Sequence, residues 1–476
     1  MTTRVIILGG GFSGAVAALH LIRSTEAPPR HVTIIETRPL LGGGVAYSSP
    51  DTRHRINVPA ARMSAFSEDM GHFDRWLRER GYPGTDPESL FEGAHLFPAR
   101  HEFGRYLDEQ VRLHSAGRGI LRHVRRQAVS ARRRSDGSYQ VNLDDGSRVE
   151  GDILILAASH PAPGIPKLLA QSLTGDARLI TDPWKDGALS ALASEDRVLI
   201  MGTGLTTADI VASLDAAGHR GPITAFSRRG LLPRGHALDA TTLIGDFATS
   251  PSPTALDLLR RIRAELRAAA AAGHAWQAVL DAVRRDGRTI WQALPIAERR
   301  GLLRHLRPFW DVHRYRIAPQ PEAVLRRLGA TGQLEVLAAS LAEIRATPAE
   351  ISATLRSRRS GTTIERTVDA VILATGPSHD RLFDSSPPLA ALAEAGLLQA
   401  DPLGLGLAVD LQSRAIGQDG AADGSLWVAG PLARGTFGEL MGLPQVLTHA
   451  EDVAKSVIRE LSERWTASRH HLVSCF

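Results

Sequence analysis

Twice in this chain an apolar strand runs straight into a glycine-rich turn that opens a helix, and this pairing restricts the fold more than any other feature. The first instance is Val5-Ile6-Ile7-Leu8, then Gly9-Gly10-Gly11-Phe12-Ser13-Gly14, then a helical stretch from Ala15 to Arg23. The second is Arg197-Val198-Leu199-Ile200, then Gly202-Thr203-Gly204, then a helical pattern through Asp209. A strand, turn and helix of this kind opens a doubly wound parallel sheet, in which the glycines permit a tight turn and close approach of a pyrophosphate. The helix N-terminus behind them favours negative charge. At 476 residues the chain is longer than one hydrophobic core usually organises, so it has room for two such sheets.

The residues downstream of each turn give the two sites different characters. After the first, Val32-Thr33-Ile34-Ile35 reads as a strand that ends at Glu36, where a carboxylate accepts the hydroxyls of an adenosine ribose. Gly9, Gly11, Phe12, Ser13, Gly14 and Glu36 are therefore expected to hold a dinucleotide with a free 2′-hydroxyl, which suits FAD. Gly42-Gly43-Gly44 follows in one loop, and Gly44 is expected either along the pyrophosphate or flavin edge or in a simple turn. After the second, Ile223-Thr224-Ala225-Phe226 leads to Ser227-Arg228-Arg229-Gly230 rather than to an acid. Arginines there accommodate a 2′-phosphate, so Gly202, Gly204, Arg228 and Arg229 predict NADPH, with NADH possible. Thr207 or Ala208 stands where a third glycine would be, and the two arginines have solvent exposure as their alternative reading.

The expected fold class is α/β, a two-dinucleotide-binding-domain flavoprotein plan. A Rossmann-like FAD domain over 1–190 and 376–476 encloses an NAD(P)-binding domain over 191–375, with a helical insertion near 251–330. Strands are expected over 120–157, with hairpin turns at Asp136-Gly137 and Asp145-Gly146. A short strand at Trp427-Val428-Ala429 and a helix from Val446 to Leu461 are expected to close the chain.

Composition removes several classes of chemistry. Cys475 is the only cysteine, which excludes disulfides, redox pairs and cysteine-ligated metals. The positive charge is nearly all Arg, and runs such as Arg132-Arg133-Arg134 lack the aromatic interleaving of a nucleic-acid surface, so no nucleic-acid partner is expected. With no long apolar span and no leader-like N-terminus, no membrane association is expected and a cytoplasmic location is.

Several further residues are candidates for the reaction. Ala157-Ala158-Ser159 and Ala374-Thr375-Gly376 end strands in small-residue turns, and Gly376 is expected where the chain crosses between domains. Gly430, in Val428-Ala429-Gly430-Pro431, is expected to close over the flavin, with the helix after Pro444 pointing its N-terminus towards it. Asn57 is read either as an amide hydrogen-bonding flavin or substrate, or as a turn residue. Trp310, His313, Arg314 and Arg316 form a dense cluster with two readings: Arg314 holds an anionic substrate while His313 moves a proton, or the segment packs domains together.

The Gly9 loop, the Gly202 loop with Ser227-Arg228-Arg229-Gly230 and the Gly430 turn, with Asn57-Val58-Pro59-Ala60, Phe97-Pro98-Ala99-Arg100 and Arg307-Pro308-Phe309-Trp310-Asp311-Val312-His313-Arg314, resemble a bacterial FAD/NAD(P)-binding protein family related to class B flavin monooxygenases. Ala157-Ala158-Ser159 departs from that family's pattern, in which Ala-Thr-Gly is common. Members of that family include an FAD-dependent urate hydroxylase and enzymes that hydroxylate amino-acid nitrogen. The resemblance implies an NAD(P)H-dependent FAD monooxygenase that uses molecular oxygen to hydroxylate a small polar metabolite through a flavin peroxide. Urate or a related nitrogen heterocycle is the first expectation for that substrate. The alternatives are N-hydroxylation of an amino acid or amine, and electron transfer to an acceptor other than oxygen.

Overall fold

The computed structural model describes residues 3–473 except 27–30, 118, 238–241 and 379–380, with side chains to residue 464; Cys475 lies outside these residues. Two mixed sheets dominate. The first has the order Arg414–Ile416, Ala422–Val428, Ile153–Leu156, Arg4–Leu8, His31–Ile35 and Leu121–Val124. Its strands run parallel except for the Arg414–Ile416 edge. The Arg4–Leu8 strand is central, pairing Val5 with Val32 on one side and Ile153 on the other. Helices cover one face of this sheet, and residues of the strands Ala128–Arg133, Tyr139–Leu143 and Arg148–Gly151 with the returning chain cover the other, so Val5 to Leu8 is buried on both sides and uninterrupted by polar residues.

The second sheet has the order Leu179–Ile180, Ala370–Leu373, Val198–Met201, Ile223–Ser227, Leu334–Ala346, Ile351–Ser357 and Thr363–Val368. It is parallel up to Leu334–Ala346 and ends in two antiparallel pairings. The chain leaves the first sheet after Leu156, and Leu169 and Leu173 already pack in the second core. It returns after Leu373, and Leu382 and Leu389 rejoin the first. The second unit is thus inserted in the first. Strands Ala128–Arg133, Tyr139–Leu143 and Arg148–Gly151 form a small sheet of their own, turning at Gly137 and Gly146.

Helices from Ala255–Ala271 to Arg307–Arg314 build a separate core around Phe247, Val279, Ala282, Ile290 and Leu294. The helix Phe12–Arg23 is buried almost all round, because it lies between the first sheet and the C-terminal helix Gln445–Val473. That last helix outruns the expected end at Leu461. Its apolar stripe stops there, but no Gly or Pro follows before Val473 to break it. The closing strand also starts earlier than expected, at Ala422, because its first residues pair with Arg414–Ile416. Among the described residues no helix is long and apolar enough to cross a membrane.

Candidate functional site

The two glycine turns are built alike. Gly9 has φ +101, and a Cβ there would lie 2.4 Å from the Ala157 carbonyl oxygen at the end of the neighbouring strand. Gly202 has φ +138, and its Cβ would lie 2.3 Å from the Ala374 carbonyl oxygen. In each case only glycine permits both the backbone conformation and the contact. Gly14 packs on Gly9, where a Cβ would come within 2.0 Å of the Gly9 oxygen. The equivalent position in the second turn is the fully buried Thr207. Beyond the turns, Gly11 and Gly204 cap their helices with no side-chain hydrogen bond, so the first helical N–H groups stay free for an anion.

Around the first turn, Glu36 is held in place from below. Its Oε2 accepts the Gly10 N–H at 3.0 Å and its Oε1 the Arg38 N–H at 3.0 Å. Gly44 packs against Gly11, and the Gly42 N–H donates to the Gly10 oxygen at 2.7 Å. The Phe12 ring turns into the core against Phe103 and Tyr47, so its N–H is what the turn presents. Gly430 reaches the same place from the C-terminal segment: a Cβ on it would lie 2.2 Å from the Ser13 Oγ. Gly9, Gly11, Ser13, Gly14, Glu36, Gly44 and Gly430 therefore come together.

Around the second turn, Thr203 Oγ1 lies 2.8 Å from Ser227 Oγ, which ties the glycine loop to the strand end that carries Arg228 and Arg229. Both arginines are exposed. Arg229 lies over the Phe309 ring at 5.5 Å, while Arg228 has no partner among the described residues. Gly376 follows two residues after the contact of Ala374 with Gly202, at the return crossing.

A buried polar junction joins the two units, and nothing in the sequence reading anticipated it. Arg100, opening the helix Arg100–Ser115, pairs with Asp209 of the second helix at 2.8 Å. His54 lies 3.0 Å from Ser213 Oγ, which donates to Asp51 Oδ2 at 2.5 Å. Burial pushes the His54 imidazole down to about 4, so it is neutral near pH 7. Burial also pushes the Asp209 carboxyl up to about 6, against the pull of Arg100.

A carboxyl with a folded value near 6 and an unfolded one near 3.9 binds more protons folded than unfolded between those values. Its contribution to stability is complete below about pH 4 and is lost as pH rises through 6. In urea unfolding from pH 4 to 7.5, wild type is expected to lose on the order of 3 kcal/mol relative to Asp209→Asn. Parallel pH profiles for the two proteins would contradict this.

His236 extends the junction, its Nε2–H donating to the Asn57 carbonyl at 2.9 Å. The Asn57 side-chain amide is half-buried and has no hydrogen bond among the described residues. Two residues before His236, the Arg234 N–H donates to the Val312 oxygen at 2.9 Å. The 234–236 loop thus stands between Asn57 and the helix Arg307–Arg314, which make no direct hydrogen bond to each other.

That helix is clamped to the segment following the Gly430 turn. Arg314 is buried and its Nε donates to Glu439 Oε1, while Trp310 Nε1 donates to Glu439 Oε2 at 3.2 Å. Trp291 donates to the Gly435 oxygen at 2.8 Å, and Arg284 donates to the Leu443 oxygen and to Gln445. Arg316 is bidentate to Asp281 at 2.9 and 2.7 Å. His313 donates through Nδ1 to the Phe309 carbonyl at 2.7 Å, its ring edge-on to Trp276. Glu439, the residue that organises this clamp, has no local sequence signature.

Residues 6–161 match a family model described as FAD-NAD(P)-binding. No curated protein sequence matches the chain. Solved structures match over nearly its whole length. The ornithine hydroxylase of Pseudomonas aeruginosa in its reduced form superimposes with a TM-score of 0.66 at 16% identity, covering 97% of this chain and 100% of that one. L-lysine 6-monooxygenase from Pseudomonas syringae gives 0.63 at 19% identity, covering 96% and 99%. Thioredoxin reductase of Lactococcus lactis gives 0.52 at 12% identity, covering 97% and 99%. At such identities the likeness establishes the fold, a mixed α/β architecture with two dinucleotide-binding units.

Proposed function

We propose that the protein is an FAD-dependent, NADPH-oxidising monooxygenase that hydroxylates the nitrogen of an amino acid or amine. The observation that carries this reading is the pair of matching glycine cradles, one on each sheet, joined by a hydrogen-bonded junction. FAD fits the first. Gly9 and Gly14 leave no room for side chains, the Gly11, Phe12 and Ser13 N–H groups face the pyrophosphate position, Glu36 takes the ribose, and Gly44 and Gly430 close the site. NADPH fits the second, on Gly202 and Gly204 with Arg228 and Arg229 for the 2′-phosphate and Gly376 at its edge. The units proposed to carry them are 1–190 with 376–476, and 191–375, with residues 167–180 moved to the second because Leu169, Leu173 and the strand Leu179–Ile180 belong to its core and sheet.

When bound, FAD supplies the redox chemistry that activates oxygen, and the protein supplies binding, orientation and exclusion of water. Asn57 is proposed to offer its free amide to the reacting groups. His313, on the clamped helix, is proposed to move a proton, whereas Arg314, buried and committed to Glu439, takes the packing role rather than holding a substrate anion. Solved structures of this architecture include ornithine and lysine hydroxylases, which favours an amine over urate as substrate. Thioredoxin reductase shares the plan, but a chain whose one cysteine is Cys475 cannot supply a redox pair.

The test is aerobic turnover with NADPH and a panel of ornithine, lysine, cadaverine and urate, followed by mass spectrometry. An amine product carrying one added oxygen supports the proposal; NADPH oxidation that no panel member stimulates, with no oxygenated product, overturns it. Each charge-assisted hydrogen bond contributes about 1.5–3 kcal/mol. Arg228→Ala and Arg229→Ala are therefore expected to raise the KM for NADPH roughly 10- to 100-fold while leaving that for NADH nearly unchanged. Equal changes for both nucleotides would remove the 2′-phosphate role.

A further inference from the structure

We propose that the protein carries a second ligand site, for a small phosphorylated or polycarboxylated anion, in the cavity behind the Gly430 turn. The cavity measures about 240 Å³ and is lined by Arg288, Lys455 and Arg459, with Ser413 and His449 forming its floor. Asp452 is the one carboxylate in its lining, so three cations face one anion.

The three cations are exposed at the rim of the cavity and largely uncommitted to protein carboxylates. Lys455 and Arg459 stand one turn apart on the C-terminal helix, and neither makes an ion pair among the described residues. Like charges at that spacing repel one another. Arg288 reaches Asp452 only at 3.9 Å and otherwise lies over the Phe437 ring at 4.7 Å. An anion held between the three would relieve the repulsion through charge-assisted hydrogen bonds.

The floor connects this cavity to the first glycine turn. His449 is buried on the same helix, and its Nδ1 accepts the Gly430 N–H at 3.1 Å. The ring proton therefore sits on Nε2, which donates to Ser413 Oγ at 3.0 Å. Ser413 has φ 73, a left-handed conformation that costs a non-glycine residue energy and is retained only where its surroundings hold it. Gly430, at the other end of the imidazole, closes on Ser13. An anion against Ser413 is thus one side chain away from the turn over the cofactor. Transmission to the flavin rests on the FAD reading proposed above; the anion site itself does not.

The experiment is calorimetric titration of the full-length holoprotein, saturated with NADP+ to block the second turn, with citrate and with inorganic phosphate against chloride at matched ionic strength. The flavin absorbance band is followed in parallel. Expected are binding at one site per chain, a perturbed flavin band, and at least tenfold weaker binding in Lys455→Ala/Arg459→Ala. The Lys455→Arg/Arg459→Lys exchange should retain it. Binding no stronger than chloride, or unchanged in the alanine pair, overturns the proposal. A protein that purifies without flavin would defeat the FAD reading, and the calorimetric comparison would still decide the anion site. His449→Asn, expected to bind the anion without perturbing the flavin, checks the connection; an unchanged flavin response would overturn it.

Discussion

Gly9→Ala protein is expected to purify without bound flavin. The added methyl would sit 2.4 Å from the Ala157 oxygen at a backbone φ of +101, so the strand end or the turn must move. A left-handed backbone at a non-glycine residue costs about 1–3 kcal/mol before any clash is counted. The displaced atoms are those that would face the pyrophosphate, so the expected loss is of FAD as well as of stability. Gly204→Ala is the comparison. Gly204 caps the helix of the second turn as Gly11 caps that of the first, and a Cβ there meets nothing within 4 Å. This variant is expected to fold and retain FAD, while NADPH binding weakens because the nucleotide can no longer approach the backbone closely. The measurement is flavin stoichiometry by absorbance after gel filtration, with thermal unfolding alongside. Full flavin content in Gly9→Ala would remove the first turn from the cofactor site.

Glu439→Ala is expected to be the most destabilising single change away from the glycine turns. Arg314 and Glu439 have side chains only 5% and 7% exposed, so removing the carboxylate leaves a guanidinium buried beside an empty place. Breaking a buried pair from one side costs about 3–5 kcal/mol, whereas replacing both partners by apolar groups is often neutral. Arg314→Met/Glu439→Leu should therefore be markedly more stable than Glu439→Ala. The Trp310 indole would also lose its acceptor, loosening the hold of the helical insertion on the segment after Gly430. Denaturant unfolding of the three proteins checks this; a loss below about 1 kcal/mol in Glu439→Ala would mean that the pair is more solvated than its burial implies.

Local chemistry made the cofactor turns legible in the sequence. The tight turn, the free helix N-terminus and the acid closing the next strand all lie within one strand-turn-helix-strand unit, so Gly9 to Glu36 can be read as a block. The two crossings were legible for the same reason, since Ala157 and Ala374 end buried apolar strands in small residues that the glycines pack against. What pairs across long separations was not. Trp310, His313, Arg314 and Arg316 stand out as a cluster, but what Arg314 faces depends on Glu439, 125 residues away. Likewise the Arg100–Asp209 pair and the His449–Gly430 bond join residues whose neighbourhoods exist only after the sheets are assembled. The end of the last helix was hidden by a different cause: its polar final turns carry no apolar stripe, and continuity there rests on the lack of a breaker.

The most direct test of the two-cofactor arrangement is anaerobic stopped-flow absorbance at the flavin band after mixing the purified protein with NADPH and, separately, NADH. Bleaching with both, faster with NADPH than with NADH and slowed in Gly204→Ala protein that keeps its flavin, is the predicted result. A flavin band that stays oxidised with both nucleotides would contradict it, leaving the second turn without its proposed ligand.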